Sequence, residues 1–131
     1  MKFYLCSVCG NLVEVVEDGG NTPSCCGRTM RLLSPGETDG AVEKHLPVMK
    51  ECMVEDTHGK HCKIVVQVGK VPHPMEDGHF IKWIALETEH GFQIAYLKSG
   101  DEACVTFYED EKVVAIYAYC NLHGLWKTEI L

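Results

Sequence analysis

With 131 residues, 46% of them apolar, the chain can build one ordinary core and a small appendage, but not two full-sized domains. A formal charge of -7 and scattered Lys and Arg argue against a nucleic-acid partner or an anionic membrane. No apolar signal core follows Met1, and no uninterrupted apolar run approaches membrane-spanning length. A cytoplasmic protein is expected.

In a reducing compartment, eight cysteines point to metal binding, because disulfide frameworks do not persist there. They divide unevenly. Cys6, Cys9, Cys25 and Cys26 crowd the N-terminus, whereas Cys52, Cys62, Cys104 and Cys120 are dispersed, which suggests two functional units.

In chain order, residues 2–5 and 12–16 are short apolar pieces separated by Cys-Gly and Asp-Gly-Gly-Asn turns. So small a unit lacks a sufficient core, and a structural metal is the usual remedy. Residues 31–38, with Ser34-Pro35-Gly36, read as a linker. The domain boundary falls there, dividing residues 1–36 from residues 37–131.

Beyond the linker the pattern is β. Cys62, Ile64, Val66 and Val68 alternate with His61, Lys63, Val65 and Gln67, and Phe92, Ile94 and Tyr96 repeat the period. Further strands are predicted over residues 80–87, 104–108, 112–119 and 125–130. No segment of helical length carries a 3.6-residue stripe, and turns such as Lys98-Ser99-Gly100-Asp101 recur at short intervals. An all-β sandwich behind a small metal-stabilised unit is the expected architecture.

Cys6-Ser7-Val8-Cys9-Gly10 sets two thiolates on one tight turn, and Cys25-Cys26-Gly27 supplies a second pair. A bond between adjacent cysteines would be strained, so neighbouring ligands to one ion are the simpler account. Four thiolates make a tetrahedral site for iron or zinc, and spacing does not separate the two.

Downstream, His73-Pro74-Met75-Glu76-Asp77-Gly78-His79 holds two imidazoles on a loop forced by proline and glycine. Cys120-Asn121-Leu122-His123-Gly124 offers a thiolate and an imidazole at the end of an apolar strand. With His45 these residues make a candidate set of four nitrogens and one sulfur, of which the thiolate is the most informative ligand. A lone histidine is more often a surface or core residue, and His58, His61 and His90, in polar stretches, are assigned to the surface. Cys52, Cys62 and Cys104, in or beside apolar strand patterns, read as small buried hydrophobes.

Over nearly its whole length the chain resembles the desulfoferrodoxin family, the two-iron superoxide reductases. Cys6-x-x-Cys9 with Cys25-Cys26-Gly27 is similar to the desulforedoxin module. Thr38-Asp39-Gly40-Ala41, Glu43-Lys44-His45-Leu46-Pro47-Val48, Val71-Pro72-His73-Pro74-Met75, His79 and Cys120-Asn121-Leu122-His123-Gly124 resemble neelaredoxin.

The resemblance implies an immunoglobulin-like sandwich and two iron ions per chain, zinc being the alternative at the four-cysteine site. One iron would have Cys6, Cys9, Cys25 and Cys26 as ligands. The other would have equatorial His45, His73, His79 and His123 with axial Cys120, leaving a position open for superoxide. Lys44 would attract the anion, and Glu43 would be the sixth ligand of the oxidised ion.

The implied reaction is one-electron reduction of superoxide to hydrogen peroxide, fed by an external donor such as rubredoxin. A homodimer is also implied, since the small unit would gain core by pairing with its twin. The competing readings are a non-enzymatic rubredoxin-like electron carrier, a zinc-stabilised interaction module and a superoxide dismutase.

Overall fold

A computed structural model of the chain describes residues 1–38 and 40–131. Asp39, part of the Thr38 to Ala41 motif, lies outside the described residues.

The N-terminal unit is a three-stranded antiparallel sheet in the order β2-β1-β5, from β1 (Phe3–Leu5), β2 (Leu12–Glu14) and β5 (Arg31–Leu32). A two-stranded hairpin of β3 (Ser24–Cys25) and β4 (Arg28–Thr29) adjoins it. The linker expected over residues 31–38 therefore begins later. Arg31 pairs with Leu5 and Leu32 with Tyr4, and the buried Leu33 donates its N–H to the Phe3 carbonyl at 2.9 Å. Two paired residues are too few to display an alternation, which is why the strand was hidden.

The remainder is a sandwich of two antiparallel sheets. One, in the order β10-β7-β6, is built on a long hairpin of β6 (Pro47–Asp56) and β7 (Gly59–Val68) flanked by β10 (Cys104–Tyr108). The other has β8 (Ile81–Thr88), β9 (Phe92–Tyr96), β11 (Val113–Cys120) and β12 (Gly124–Glu129) in the order β12-β11-β8-β9. The predicted alternation holds for Ile64, Val66 and Val68, which are fully buried and pack with Ile84, Leu86, Ile116 and Ala118.

Strand β6 carried no predicted element, because most of its residues are exposed and no apolar face marks it. It is a strand because every residue from Pro47 to Asp56 has a partner in β7. The polar stretch over residues 55–60 is the end of this hairpin. Cys52 is exposed there, which corrects its reading as a buried hydrophobe. Cys62 and Cys104 are half-buried, and Cys62 packs against the core.

Strands β8 and β11 are buried along almost their whole length, because the second face of their sheet is also covered. On that face Trp83, Ala85, Ala115, Tyr117 and Leu125 cluster with Phe3 and Leu33 of the N-terminal unit. The small unit thus adds to its own few contacts by lying on the sandwich.

Two local devices orient the functional loops. The β11–β8 register shifts between Tyr119 and Cys120, a bulge of the kind that re-aims a side chain at a strand end. A single helical turn, α1 (Val42–His45), precedes β6; it is too short to show a helical stripe, so the sequence pattern missed it. The turn is tied down where Gly69 donates to the Leu46 carbonyl and Lys70 to the Glu43 carbonyl, both at 2.9 Å. Gly69 has φ +84°, and a Cβ there would come within 2.5 Å of the Val71 carbonyl oxygen and 2.7 Å of that of Lys44. Glycine is required by both conformation and space.

Candidate metal centres

Four imidazoles arrive from separate elements: His45 from α1, His73 and His79 from the loop after β7, and His123 from the β11–β12 turn. Neighbouring ring centroids are 4.6 Å apart for His45 and His73, 4.6 Å for His73 and His79, 5.1 Å for His79 and His123, and 4.7 Å for His123 and His45. Across the ring, His45 and His79 are 6.3 Å apart. These distances describe a near-square, with each adjacent pair of rings edge to face.

The outer hydrogen bonds decide which nitrogens point inward. His45 Nδ1 donates to the Ala41 carbonyl at 2.8 Å, and His73 Nδ1 donates to the Pro74 carbonyl at 2.7 Å. In a neutral imidazole the other nitrogen then carries only a lone pair. Yet His73 Nε2 lies 3.0 Å from His45 Nε2, and His45 Nε2 lies 3.0 Å from His123 Nδ1. The His73–His45 pair is two acceptors face to face, which a hydrogen bond cannot satisfy and a cation can. These two adjacent edges are each 3.0 Å, and a square of that side would have its centre about 2.1 Å from each corner, a metal–imidazole bond length. His79 Nε2 is buried and, among the described residues, lacks any hydrogen-bond partner.

Cys120 is fully buried, and its sulfur is 3.8 Å from His123 Nδ1. One donor atom from each of the five residues lies within 4.8 Å of all the others, so the sulfur joins the four imidazole nitrogens in one cluster. Burial raises the Cys120 thiol pKa, while backbone N–H groups of His123 and Leu122 favour the thiolate. Burial also lowers the pKa of His45, His79 and His73, the last to about 4 against the opposing hydrogen bond to Pro74. Three rings are therefore held neutral, as ligands must be.

Outer contacts that sequence reasoning missed complete the shell. Trp126 stacks on His45 with centroids 4.9 Å apart, and its Nε1 donates to the His123 carbonyl at 3.1 Å. The Thr38 hydroxyl donates to the same carbonyl. A Cβ on Gly40 would lie 2.9 Å from Trp126 and 3.0 Å from His45, so the glycine noted in the Thr38 to Ala41 motif was the one available signal. Asn121 accepts from Phe80 N–H at 2.9 Å and donates to the Gly78 carbonyl at 3.0 Å, tying the Cys120 turn to the His79 loop.

Glu43 and Lys44 are exposed on α1 beside the buried His45. Glu43 is not among the five converging donors. The charge of Lys44 contributes to lowering the pKa of His45 and His79, so its ammonium acts on the ring. His58 and His90 lie at the surface and the half-buried His61 is beside Asp56; none belongs to the centre.

The second cluster joins Cys6, Cys9, Cys25 and Cys26, all within 4.8 Å of one another. The Cys9 and Cys25 sulfurs are 3.7 Å apart and those of Cys25 and Cys26 are 4.0 Å apart. Metal–sulfur bonds of about 2.3 Å give a tetrahedron with edges of about 3.8 Å. Cys26 adopts φ 52°, a left-handed conformation that lets two adjacent sulfurs approach. The N–H groups of Cys9 and Val8 pull the Cys6 thiol pKa down to about 6, whereas the neighbouring Cys9, Cys6 and Cys25 push Cys26 up to about 12. The Cys6 thiolate forms readily, whereas Cys25 and Cys26 hold their protons more tightly, so binding of a cation would release protons there.

The family model described as Desulfoferrodoxin matches residues 37–129, and that described as Desulfoferrodoxin, N-terminal domain, matches residues 1–33. The desulfoferrodoxin of Nitratidesulfovibrio vulgaris is 44% identical over 132 residues, spanning 98% of this chain and 95% of that protein. The desulfoferrodoxin homolog of Archaeoglobus fulgidus is 41% identical over 128 residues, spanning 98% and 96%. The crystal structure of the superoxide reductase from Treponema pallidum superposes with a TM-score of 0.72 at 32% identity, covering 98% of each chain. With two family models covering the two structural units and relatives matched end to end, the chain belongs to the desulfoferrodoxin family.

Proposed function

We propose that the chain is a superoxide reductase, converting superoxide, one electron and two protons to hydrogen peroxide. The observation that carries this reading is the convergence of four imidazoles and the Cys120 sulfur, their donor atoms within 4.8 Å of one another and two adjacent nitrogen pairs 3.0 Å apart. His45, His73, His79, His123 and Cys120 would hold iron, which supplies the electron as it passes from ferrous to ferric. An external donor such as rubredoxin would restore it.

The chain does the rest. The carbonyls of Ala41 and Pro74 fix two rings as neutral ligands. Burial raises the Cys120 thiol pKa against the N–H groups of His123 and Leu122, so a bound cation would be what draws off the proton; the resulting thiolate would donate electron density and favour release of peroxide. The Lys44 ammonium attracts the superoxide anion to an otherwise acidic protein. Glu43, one residue earlier on the same exposed turn, would be the carboxylate available to the oxidised ion. Protons come from solvent. The carrier reading is not favoured, since an electron carrier gains from a closed shell and among the described residues five donors converge here.

The same proposal assigns residues 1–36 to a desulforedoxin-like unit and residues 37–131 to the reductase domain. Iron is the proposed ion at the four-cysteine site, with zinc the alternative. A cytoplasmic homodimer is the proposed working form; no helix among the described residues is long and apolar enough to cross a membrane.

Stopped-flow mixing of reduced, anaerobically prepared protein with pulsed superoxide tests the activity. Peroxide without oxygen is expected, whereas oxygen alongside peroxide would mean dismutation. Lys44→Ala is expected to slow capture by about tenfold and flatten its salt dependence, in line with electrostatic steering. An unchanged, equally salt-sensitive rate would remove Lys44 from the mechanism. Glu43→Ala is expected to alter the oxidised-state absorption spectrum while leaving capture fast, and an identical spectrum would exclude its carboxylate as a ligand.

A further inference from the structure

We propose that Phe3, Trp83 and Tyr119 form the route by which an electron crosses from the four-cysteine centre to the histidine centre. The inference rests on the reading above that both centres hold iron. One electron leaves the four-cysteine ion, taking it from ferrous to ferric, and takes the histidine-site ion from ferric to ferrous. No bond forms or breaks, and no proton is transferred.

The route combines packed rings with short covalent links, through β1 from Cys6 to Phe3 and across one peptide from Tyr119 to Cys120. Cys6 closes the end of β1, and Tyr4 of that strand packs in one buried cluster with Cys6, Met30 and Cys25. From Phe3 of the same strand the ring lies 5.3 Å from that of Trp83. Trp83 is stacked on Tyr119 at 5.5 Å, the planes within 6°. These two residues face each other directly across β8 and β11. Tyr119 is bonded through one peptide to Cys120, whose sulfur turns to the other side of the sheet and into the imidazole ring.

Phe3 and Trp83 are 3% and 5% exposed, so no layer of water interrupts the step between the two units. Gly10, next to Cys9, lines the same groove as Phe3, Trp83 and Tyr119, so the thiolate turn borders the groove that the rings also border. The other aromatic contact with a candidate ligand, Trp126 on His45, leads back to Gly36 of the connecting segment and to no thiol.

Hydrophobic packing alone would use these rings equally well, so the test must read electron flow. The full chain, with iron in both centres, is photoreduced in a flash experiment while the absorption bands of the two centres are followed separately. The unaltered chain is expected to show the four-cysteine band bleach first and then recover as the other centre is reduced. Trp83→Leu and Tyr119→Leu are each expected to slow that second phase by about tenfold, as interruption of a packed pathway should. Trp83→Phe keeps a ring in the stack and is expected to retain most of the rate, and Tyr96→Leu, in the groove but outside the stack, all of it. Tyr119 is only half-buried, so its variant remains informative if Trp83→Leu fails to fold.

Absence of the second phase in the unaltered chain, or an unchanged phase in the Tyr119→Leu variant, would overturn the proposal. Pre-reduced variants mixed directly with superoxide are expected to react as fast as the unaltered chain. Failure of the unaltered chain in that last reaction would count against the reductase reading itself.

Discussion

Replacing Cys120 with serine is expected to abolish the thiolate-to-metal absorption band and to lower superoxide reduction by more than about 100-fold, the upper range for losing an outer-layer partner. The sulfur is fully buried, lies 3.8 Å from His123 Nδ1 and receives backbone N–H groups from His123 and Leu122. A serine oxygen can accept the same N–H groups, so the turn should close normally. It remains a protonated hydroxyl, however, and donates far less electron density than a thiolate. Ligand chemistry changes while packing hardly does. Melting of the metal-free variant within a few degrees of the unaltered chain would separate the two effects, and a retained band with a retained rate would exclude Cys120 as a ligand.

Acidification is expected to act on the same ring with the opposite emphasis, through stability. In the folded metal-free chain burial holds the His73 pKa at about 4, against an ordinary value of 6.5. Above about pH 6.5 the imidazole is neutral in both states and its contribution does not vary. Between about 6.5 and 4 the unfolded chain takes up the proton first, so stability falls as the pH falls; below about 4 both states are protonated and the slope vanishes. The loss from His73 alone is about 3 kcal/mol, and His45 and His79 shift in the same direction. Such a loss is a large part of the stability of a domain this size. Urea unfolding of the metal-free protein at several pH values measures it, and His73→Gln should flatten the profile. A pH-independent midpoint across that interval would show that the rings are not buried as neutral groups. With a cation bound, protons and metal compete for the same nitrogens, so release of the ion should accompany the transition.

Much of the architecture could be read from local pattern. Ile64, Val66 and Val68 alternate because one face of β7 enters the core, and the period survives in the chain as written. Strand β6 could not be read this way, because its partner residues in β7 define it and its own burial is scarce. Leu33 looked like linker because the surface that buries it, around Trp83 and Tyr117, is distant in the chain. Trp126 was passed over, and Thr38 was named in a motif without a role, for the same reason: each donates to the His123 carbonyl, a partner that only the closed sandwich presents.

The two metal centres divide along the same line. Cys6 with Cys9, and Cys25 with Cys26, are chelating pairs by spacing, since thiolates so few residues apart can reach one ion from a single turn. The chain by itself pointed to those pairs, to the donor types of the candidate second centre and to a division into two units. Only the tertiary structure closed the histidine ring, because His45 meets His73 across 28 positions and His123 across 78. It also decided which nitrogen of His45 and of His73 turns inward. That choice depends on the Nδ1 bonds to the Ala41 and Pro74 carbonyls, and a flexible chain in water has no means of holding them.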